Sequence, residues 1–261
     1  MNKEKDYEAQ YTAYFISRMI ELIKENYYID ISYKNLYKAA IKGLLSGLDE
    51  HTVYLFPEKV HETVMKEYIT PVEEYTTKDN ISVVKIHEIN PKAVSAIKEI
   101  VDRLLYKENV SRVIIDLRNN IGGMTDCLYE ICKLFISQEE VFKKKNRKKT
   151  EKYVTDKLNK TFEEIVLLVN EKTMSSAEIM AAAFQDNGNI IVGKKTFGKG
   201  LAQKGYKIYD GGYLLLTTEE YLRIDGSKIQ NQGIIPDIVI EDENSILKIA
   251  CNIILGKMVE N

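Results

Sequence analysis

Residues 164–186, EIVLLVNEKTMSSAEIMAAAFQD, decide how this chain folds. An apolar run from Glu164 to Val169 breaks at the polar stretch Asn170 to Met174, and the paired serines Ser175 and Ser176 then open an Ala-rich segment through Asp186. A short apolar run bounded by turn residues reads as a buried strand, and a serine followed three residues on by glutamate reads as a helix start. Such a junction gathers hydroxyl and unpaired backbone N–H groups at the positive end of a helix, which suits an oxyanion. The plainer reading is that Ser175 or Ser176 is only an N-cap, with Glu178 completing a capping box.

Outward from this junction the pattern alternates. Strands are predicted over Ile81–Ile86, Val110–Leu117, Glu164–Val169 and Ile190–Val192, with helices over Pro91–Lys107, Thr125–Ile136 and Ser176–Asp186 between them. Short β-branched runs alternating with amphipathic helices predict an α/β layer packing, with helices covering a mostly parallel sheet. Tyr206 to Ile224 reads as a hairpin around Asp210-Gly211-Gly212, Ile238 to Ile240 as a last strand, and Ser245 to Met258 as a C-terminal helix. The first third is helical in pattern. Tyr14, Ile16, Met19, Ile20, Leu22 and Ile23 recur at helical spacing, as do Leu36, Ala39, Ile41, Leu44 and Leu45 before Gly47, predicting an antiparallel helix pair. Pro57 opens a third helix through about Tyr68, and a loop follows through Lys78. The chain therefore divides into an N-terminal helical region, 1–78, and a core, 79–261. The basic run KKKNRKK (143–149) reads as a solvated turn or edge-strand guard, with an anionic docking patch as the alternative.

At 261 residues the chain has room for one or two domains, and 44% apolar with 29% charged residues is the composition of a globular protein. The net charge of −2 supplies no field to draw a phosphate backbone or an anionic membrane surface, so no nucleic-acid partner is expected. No apolar run approaches the roughly 18 residues of a membrane span. The N-terminus carries acids and an arginine where a signal peptide needs a continuous apolar core, which places the chain in the cytoplasm; export is the alternative if a leader precedes Met1. Cys127, Cys132 and Cys251 have neither disulfide-framework nor zinc spacing, so reduced thiols are expected, with no metal and no cofactor.

None of His51, His61 and His87 lies near a glycine-rich turn or a strand-to-helix junction holding a nucleophile, which disfavours a Ser-His-Asp arrangement. Two other junctions carry polar or small residues: Asp116-Leu117-Arg118-Asn119-Asn120-Ile121-Gly122-Gly123, and Val192-Gly193-Lys194-Lys195-Thr196-Phe197-Gly198-Lys199-Gly200. Gly193, Gly198 and Lys199 fit part of a phosphate-binding loop. Gly200, however, stands where that loop needs a hydroxyl for magnesium, and no helical pattern follows.

Taken together, DLRNNIGG (116–123), VNEKTMSSAEIMAAAFQDNG (169–188), VGKKTFGKGLAQ (192–203) and GIIPDI (233–238) resemble the C-terminal processing peptidases, or tail-specific proteases, of serine peptidase family S41. LLSGLDEHTVYLFPE (44–58) is similar to the family's N-terminal region. The resemblance implies a crotonase-like (ClpP/crotonase) α/β core and a Ser-Lys dyad. It places the nucleophile at Ser175, with Ser176 as runner-up, the general base at Lys199 and a supporting residue at Gln203. The oxyanion hole would combine the Ser176 N–H with one from the Gly122-Gly123 pair. Apart from the resemblance, Thr217 and Thr218 follow the apolar run Leu214 to Leu216 and read either as substrate-binding residues of a strand that pairs with an extended peptide or as ordinary strand residues. Arg118, Asn119 and Asp186 would be structural. A lysine is protonated at neutral pH with its ordinary value of about 10.4, so a base at Lys199 must be brought to about 7 by burial.

One departure stands out. Family members usually carry a PDZ domain between the N-terminal helices and the DLRNN strand, yet only 24 positions separate Pro57 from Ile81. The resemblance is therefore to a PDZ-less member, with an unstructured or small peptide substrate and selectivity from the cleft, the N-terminal helices or a regulatory partner. The amphipathic N-terminal helices suit a homodimer, or equally bury their apolar faces within one chain. A catalytically silent peptide-binding pseudoprotease is the alternative, and an acyl-CoA enzyme a third reading.

Overall fold

The run Ile165 to Val169 is apolar at every position because the strand it forms is covered on both faces, as in the interior of a parallel sheet. The computed structural model describes residues 3–64 and 70–257. In chain order the elements are α1 (Lys3–Asn26), α2 (Tyr33–Ser46), β1 (Val53–Leu55), α3 (Pro57–Val64), β2 (Val72–Thr76), β3 (Ser82–Ile86), α4 (Pro91–Asp102) and β4 (Arg112–Asp116). There follow α5 (Thr125–Phe135), β5 (Glu140–Lys145), β6 (Thr150–Val154), β7 (Glu164–Val169), α6 (Ser176–Asp186) and β8 (Ile190–Gly193). The last are β9 (Leu201–Lys207), β10 (Tyr213–Leu222), β11 (Ile238–Val239) and α7 (Glu243–Ile254).

The chain forms two compact units, one of Met1–Thr63 with Gly205–Leu216, the other of Val64–Lys204 with Thr217–Asn261. The larger unit is built on a six-stranded sheet in the order β11-β8-β7-β4-β3-β2, parallel except for the antiparallel β2. Strand alternation divides its side chains. Val84, Val113, Ile115, Leu167 and Val169 join the core that includes α4, α5 and α6, whereas Val83, Ile114, Val166 and Leu168 meet Ile246, Ala250 and Ile254 of α7. Each strand-to-helix crossover returns the chain to the same end of the sheet. The turns after β4 and β7, neighbouring strands, are thus brought side by side.

The crotonase-like core implied by the resemblance is corrected here. The sheet is open, with β2 and β11 as its edges, and no closure into a barrel joins them among the described residues. Other differences are local. The segment read as a loop before Lys78 contains β2, whose exposed face, Glu73 to Thr76, hides its strand pattern. The helix expected through Lys107 passes into a π-helical turn, Arg103–Lys107. The basic run is the tip of the β5–β6 hairpin, turned by Asn146, whose Oδ1 accepts from the Lys148 and Lys149 N–H groups at 2.8 and 3.1 Å. The expected end of the third helix at Tyr68 and of the last at Met258 lie outside the described residues. No helix among the described residues is long and apolar enough to cross a membrane.

In the smaller unit, α1 leaves a stripe of Tyr7, Tyr11, Tyr14, Phe15, Met19 and Leu22 exposed. The tip of the β9–β10 hairpin is tied down by Asp210, whose carboxylate accepts from the hydroxyls of Tyr37 (2.6 Å) and Tyr54 (2.5 Å) and from the Gly212 N–H (2.9 Å). The Tyr37 and Tyr54 hydroxyls hold Asp210 below the usual carboxylate range. In turn Tyr37 is raised by its bond to Asp210, and Tyr54 by burial and then by the same bond.

A depressed carboxylate stabilises the fold above its unfolded value of about 3.9 and ceases to do so as pH falls below it, while raised tyrosines stabilise below about 10 and cease to do so as pH rises beyond it. Asp210→Ala should therefore accelerate amide exchange across residues 205–216 at neutral pH. The difference from the native chain should shrink progressively as pH falls below about 4 and narrow as it rises above about 10.

Candidate active site

The site begins with two turns locked to each other. After β7, the Thr173 hydroxyl donates to the Leu117 carbonyl at 2.9 Å, the Asn119 N–H donates to Asn170 Oδ1 at 3.0 Å, and the Met174 N–H donates to the Asn120 carbonyl at 2.9 Å. Asn120, fully buried, donates from Nδ2 to the Ile86 carbonyl and accepts the Gly122 N–H, both at 2.8 Å. Arg118 pairs with the buried Asp116, at 2.9 Å from Nε and 2.7 Å from Nη2, which raises its guanidinium further above its ordinary value. Arg118 and Asn119 thus hold the turn, and Asp186 is engaged by Arg223.

Ser175 stands at the sharp turn into α6 with φ 58° and ψ −125°, a left-handed conformation that costs a non-glycine residue of order 1–3 kcal/mol and is found where a strand-to-helix turn projects a nucleophile. Glu178 holds it there. This carboxylate, fully buried in α6, accepts four hydrogen bonds. Oε2 takes the N–H groups of Ser175 (2.9 Å) and Lys199 (2.7 Å), and Oε1 takes the Thr196 hydroxyl and the Gly198 N–H, both at 2.6 Å. Thr196 is itself fixed by the Ile234 N–H at 2.7 Å, so the GIIPDI stretch supports the same knot. Since one oxygen accepts from both Ser175 and Lys199, their backbone nitrogens can be no further apart than those two bonds laid end to end.

Ser175 and Lys199 line one cleft of about 520 Å³ in the larger unit, together with Gly123, Met124, Gln203 and Thr218. Ser176 does not line it: it is 1% exposed and its hydroxyl donates to the Gly123 carbonyl at 3.3 Å. Within the glycine pair the two residues differ. The Gly122 N–H is engaged by Asn120, while Gly123 faces the cleft; a Cβ on Gly123 would stand 2.0 Å from the Ile89 carbonyl oxygen, because the backbones bridge there. The glycine after Lys199 is explained the same way, since a Cβ on Gly200 would meet the Gln230 nitrogen at 2.6 Å.

Gln203, on β9, donates from Nε2 to the Thr217 hydroxyl at 3.2 Å. Thr217 therefore steadies Gln203, and Thr218 is the threonine on the cleft wall. Tyr221 also lines the cleft, and burial pushes its hydroxyl up to about 12. His51 and His87 are not among the lining residues, and the side chain of His61 lies outside the described ones. Burial pushes the Cys132 thiol up to about 12 and raises Cys127 and Cys251 as well, so burial disfavours the thiolate at all three. Among the described residues no group of His, Cys, Asp and Glu is placed to hold a metal ion.

The sequence reading took Glu178 for a capping residue and missed its bonds to Thr196, Gly198 and Lys199. The available signal was a lone charge within the run Ser176 to Phe184, which is buried throughout.

Comparison with known proteins gives this arrangement a family. Residues 80–240 match the model described as peptidase family S41. A carboxyl-terminal-processing protease from Picosynechococcus sp. is 36% identical over 179 residues, covering 67% of this chain and 43% of the relative, so the chain spans less than half of that protein's length. Among solved structures, a photosystem II D1 C-terminal processing protease superposes with a TM-score of 0.60 at 22% identity, over 71% of this chain and 53% of that one. A lipoprotein from Streptococcus agalactiae superposes with a TM-score of 0.70 at 20% identity, over 94% and 88%. These likenesses complete the correction to the fold: the solved structures it resembles have the S41-type protease fold, not the crotonase or ClpP fold. With a family model matched over most of its length and the motif residues gathered around one cleft, the chain belongs to peptidase family S41.

Proposed function

We propose that this chain is a serine endopeptidase in which Ser175 attacks the scissile carbonyl and Lys199 is the general base. The observation that carries the reading is the single oxygen of Glu178 that accepts from the backbones of both residues. In the proposed reaction the Ser175 hydroxyl adds to the carbonyl carbon as its proton passes to the Lys199 amine; that proton is then given to the departing amine. An acyl-enzyme on Ser175 remains, and water activated by the same amine hydrolyses it. The Ser175 N–H is occupied by Glu178, so the oxyanion is assigned to the Ser176 and Gly123 N–H groups; each such donor is worth about 3–4 kcal/mol in comparable hydrolases. Gln203 donates to Thr217 and so presents its Oε1 as the acceptor that would orient the Lys199 amine.

The substrate is an unstructured or C-terminal peptide segment, and the chain is of a type without a PDZ domain at this position. Two facts support the latter: 24 positions separate Pro57 from Ile81, and five of the intervening residues form β2 in the main sheet. A homodimer through the N-terminal helices is supported by the exposed aromatic stripe of α1, and a monomer in sedimentation equilibrium at micromolar concentration would remove it.

Incubated with unstructured peptides and followed by mass spectrometry, the native chain should cleave, with kcat/KM rising with pH as the base loses its proton. Ser175→Ala and Lys199→Ala should each lower kcat by at least about 10⁴-fold, and full activity in either would sink the dyad. Glu178→Gln replaces one of the two accepting oxygens by an NH2 group at which two donors already point, so it should lower kcat by about 10²-fold with little change in KM, and also lower Tm.

A further inference from the structure

The wall of the cleft opposite the knot carries an ion pair that the proposed chemistry does not use. Lys144 lies across from Tyr221 in the β5–β10 register, and Glu219, two residues earlier on the same face of β10, is its diagonal neighbour. Lys144 Nζ stands 3.4 Å from Glu219 Oε1, and both side chains line the cleft that holds Ser175 and Lys199. They are 18% and 29% exposed, open enough to be reached and buried enough that an unsatisfied partner matters. Lys144 Nζ also lies over the ring of Tyr153, 5.4 Å from its centre. Asp126 and Lys204 add one further charge of each sign to the lining, so this part of the cleft favours neither an acidic nor a basic guest.

We propose that Lys144 and Glu219 form a subsite that reads a carboxamide, so that the chain selects peptides with glutamine or asparagine at one fixed position from the bond it cuts; this rests on the peptidase reading above. A carboxamide is the one common side chain that offers an acceptor and a donor side by side: its oxygen accepts from Lys144 and its NH2 donates to Glu219, leaving neither charge unsatisfied. A carboxylate guest takes Lys144 and strips Glu219, a basic guest does the reverse, and an aliphatic guest covers both charges and returns nothing. The exposed Ile121 and Met124, on the rim of the same cleft, supply apolar contact for neighbouring positions.

The test uses peptides varied one position at a time among Gln, Leu, Glu and Lys, measured two ways: binding to the Ser175→Ala chain and cleavage by the native chain. At one position Gln should be preferred about tenfold in both, a modest factor because the pair is only partly buried. Lys144→Met should shift that position toward Lys, Glu219→Gln should shift it toward Glu, and Lys144→Glu combined with Glu219→Lys should restore Gln. Binding with no Gln preference at any position, or a preference unmoved by the single variants, overturns the subsite. Gln-selective binding by the Ser175→Ala chain without cleavage by the native one overturns the peptidase reading and supports the subsite.

Discussion

A single buried carboxylate holds this site together. Glu178 has two oxygens and four donors, and the donors come from two places in the chain: the turn before α6, and the segment Thr196 to Lys199 between β8 and β9. Burying a charge is costly unless its hydrogen-bonding capacity is met, and here four donors meet it. The same bonds fix the left-handed turn at Ser175, whose strain needs an external hold, and bring the Lys199 backbone to the same oxygen. Everything chemical that the cleft offers is downstream of that arrangement. The sheet supplies its frame, since β4 and β7 are adjacent and end together, so the Asn120 and Thr173 bonds can lock their turns into one surface.

The division of labour between neighbouring residues follows from which polar atoms are already spent. Ser176 gives its hydroxyl to Gly123 and turns inward, which leaves Ser175 on the cleft. Gly122 gives its N–H to Asn120, and Gly123 faces outward. Thr217 receives Gln203, and Thr218 lines the wall. Each pair looks equivalent in the sequence, and each is separated by one hydrogen bond.

That is also the measure of what was legible beforehand. Strands β3, β4, β7 and β8 and the helices between them could be read because strands covered on both faces leave unbroken apolar runs, whereas Ser175, Lys199 and Gln203 were singled out through the resemblance of their motifs to the S41 peptidases. Strand β2 could not be read, because four of its five residues face solvent, and β5 was masked by Lys143 to Lys145, which form its second half and read as part of a basic run. The reach of Glu178 to Thr196 and Lys199 depends on a crossover through β8 that no local pattern encodes. The crotonase-like core was an inference from resemblance, and the open sheet overrules it.

The central claim is that Ser175 is an activated nucleophile because Glu178 holds it against Lys199. A fluorophosphonate, which reacts far faster with an activated serine hydroxyl than with an ordinary one, tests this without knowledge of the substrate. The account predicts one adduct, mapped by mass spectrometry to Ser175, formed quickly by the native chain, more slowly by Glu178→Gln and not detectably by Lys199→Ala. An adduct on Ser176, or equal labelling rates in all three proteins, would contradict it.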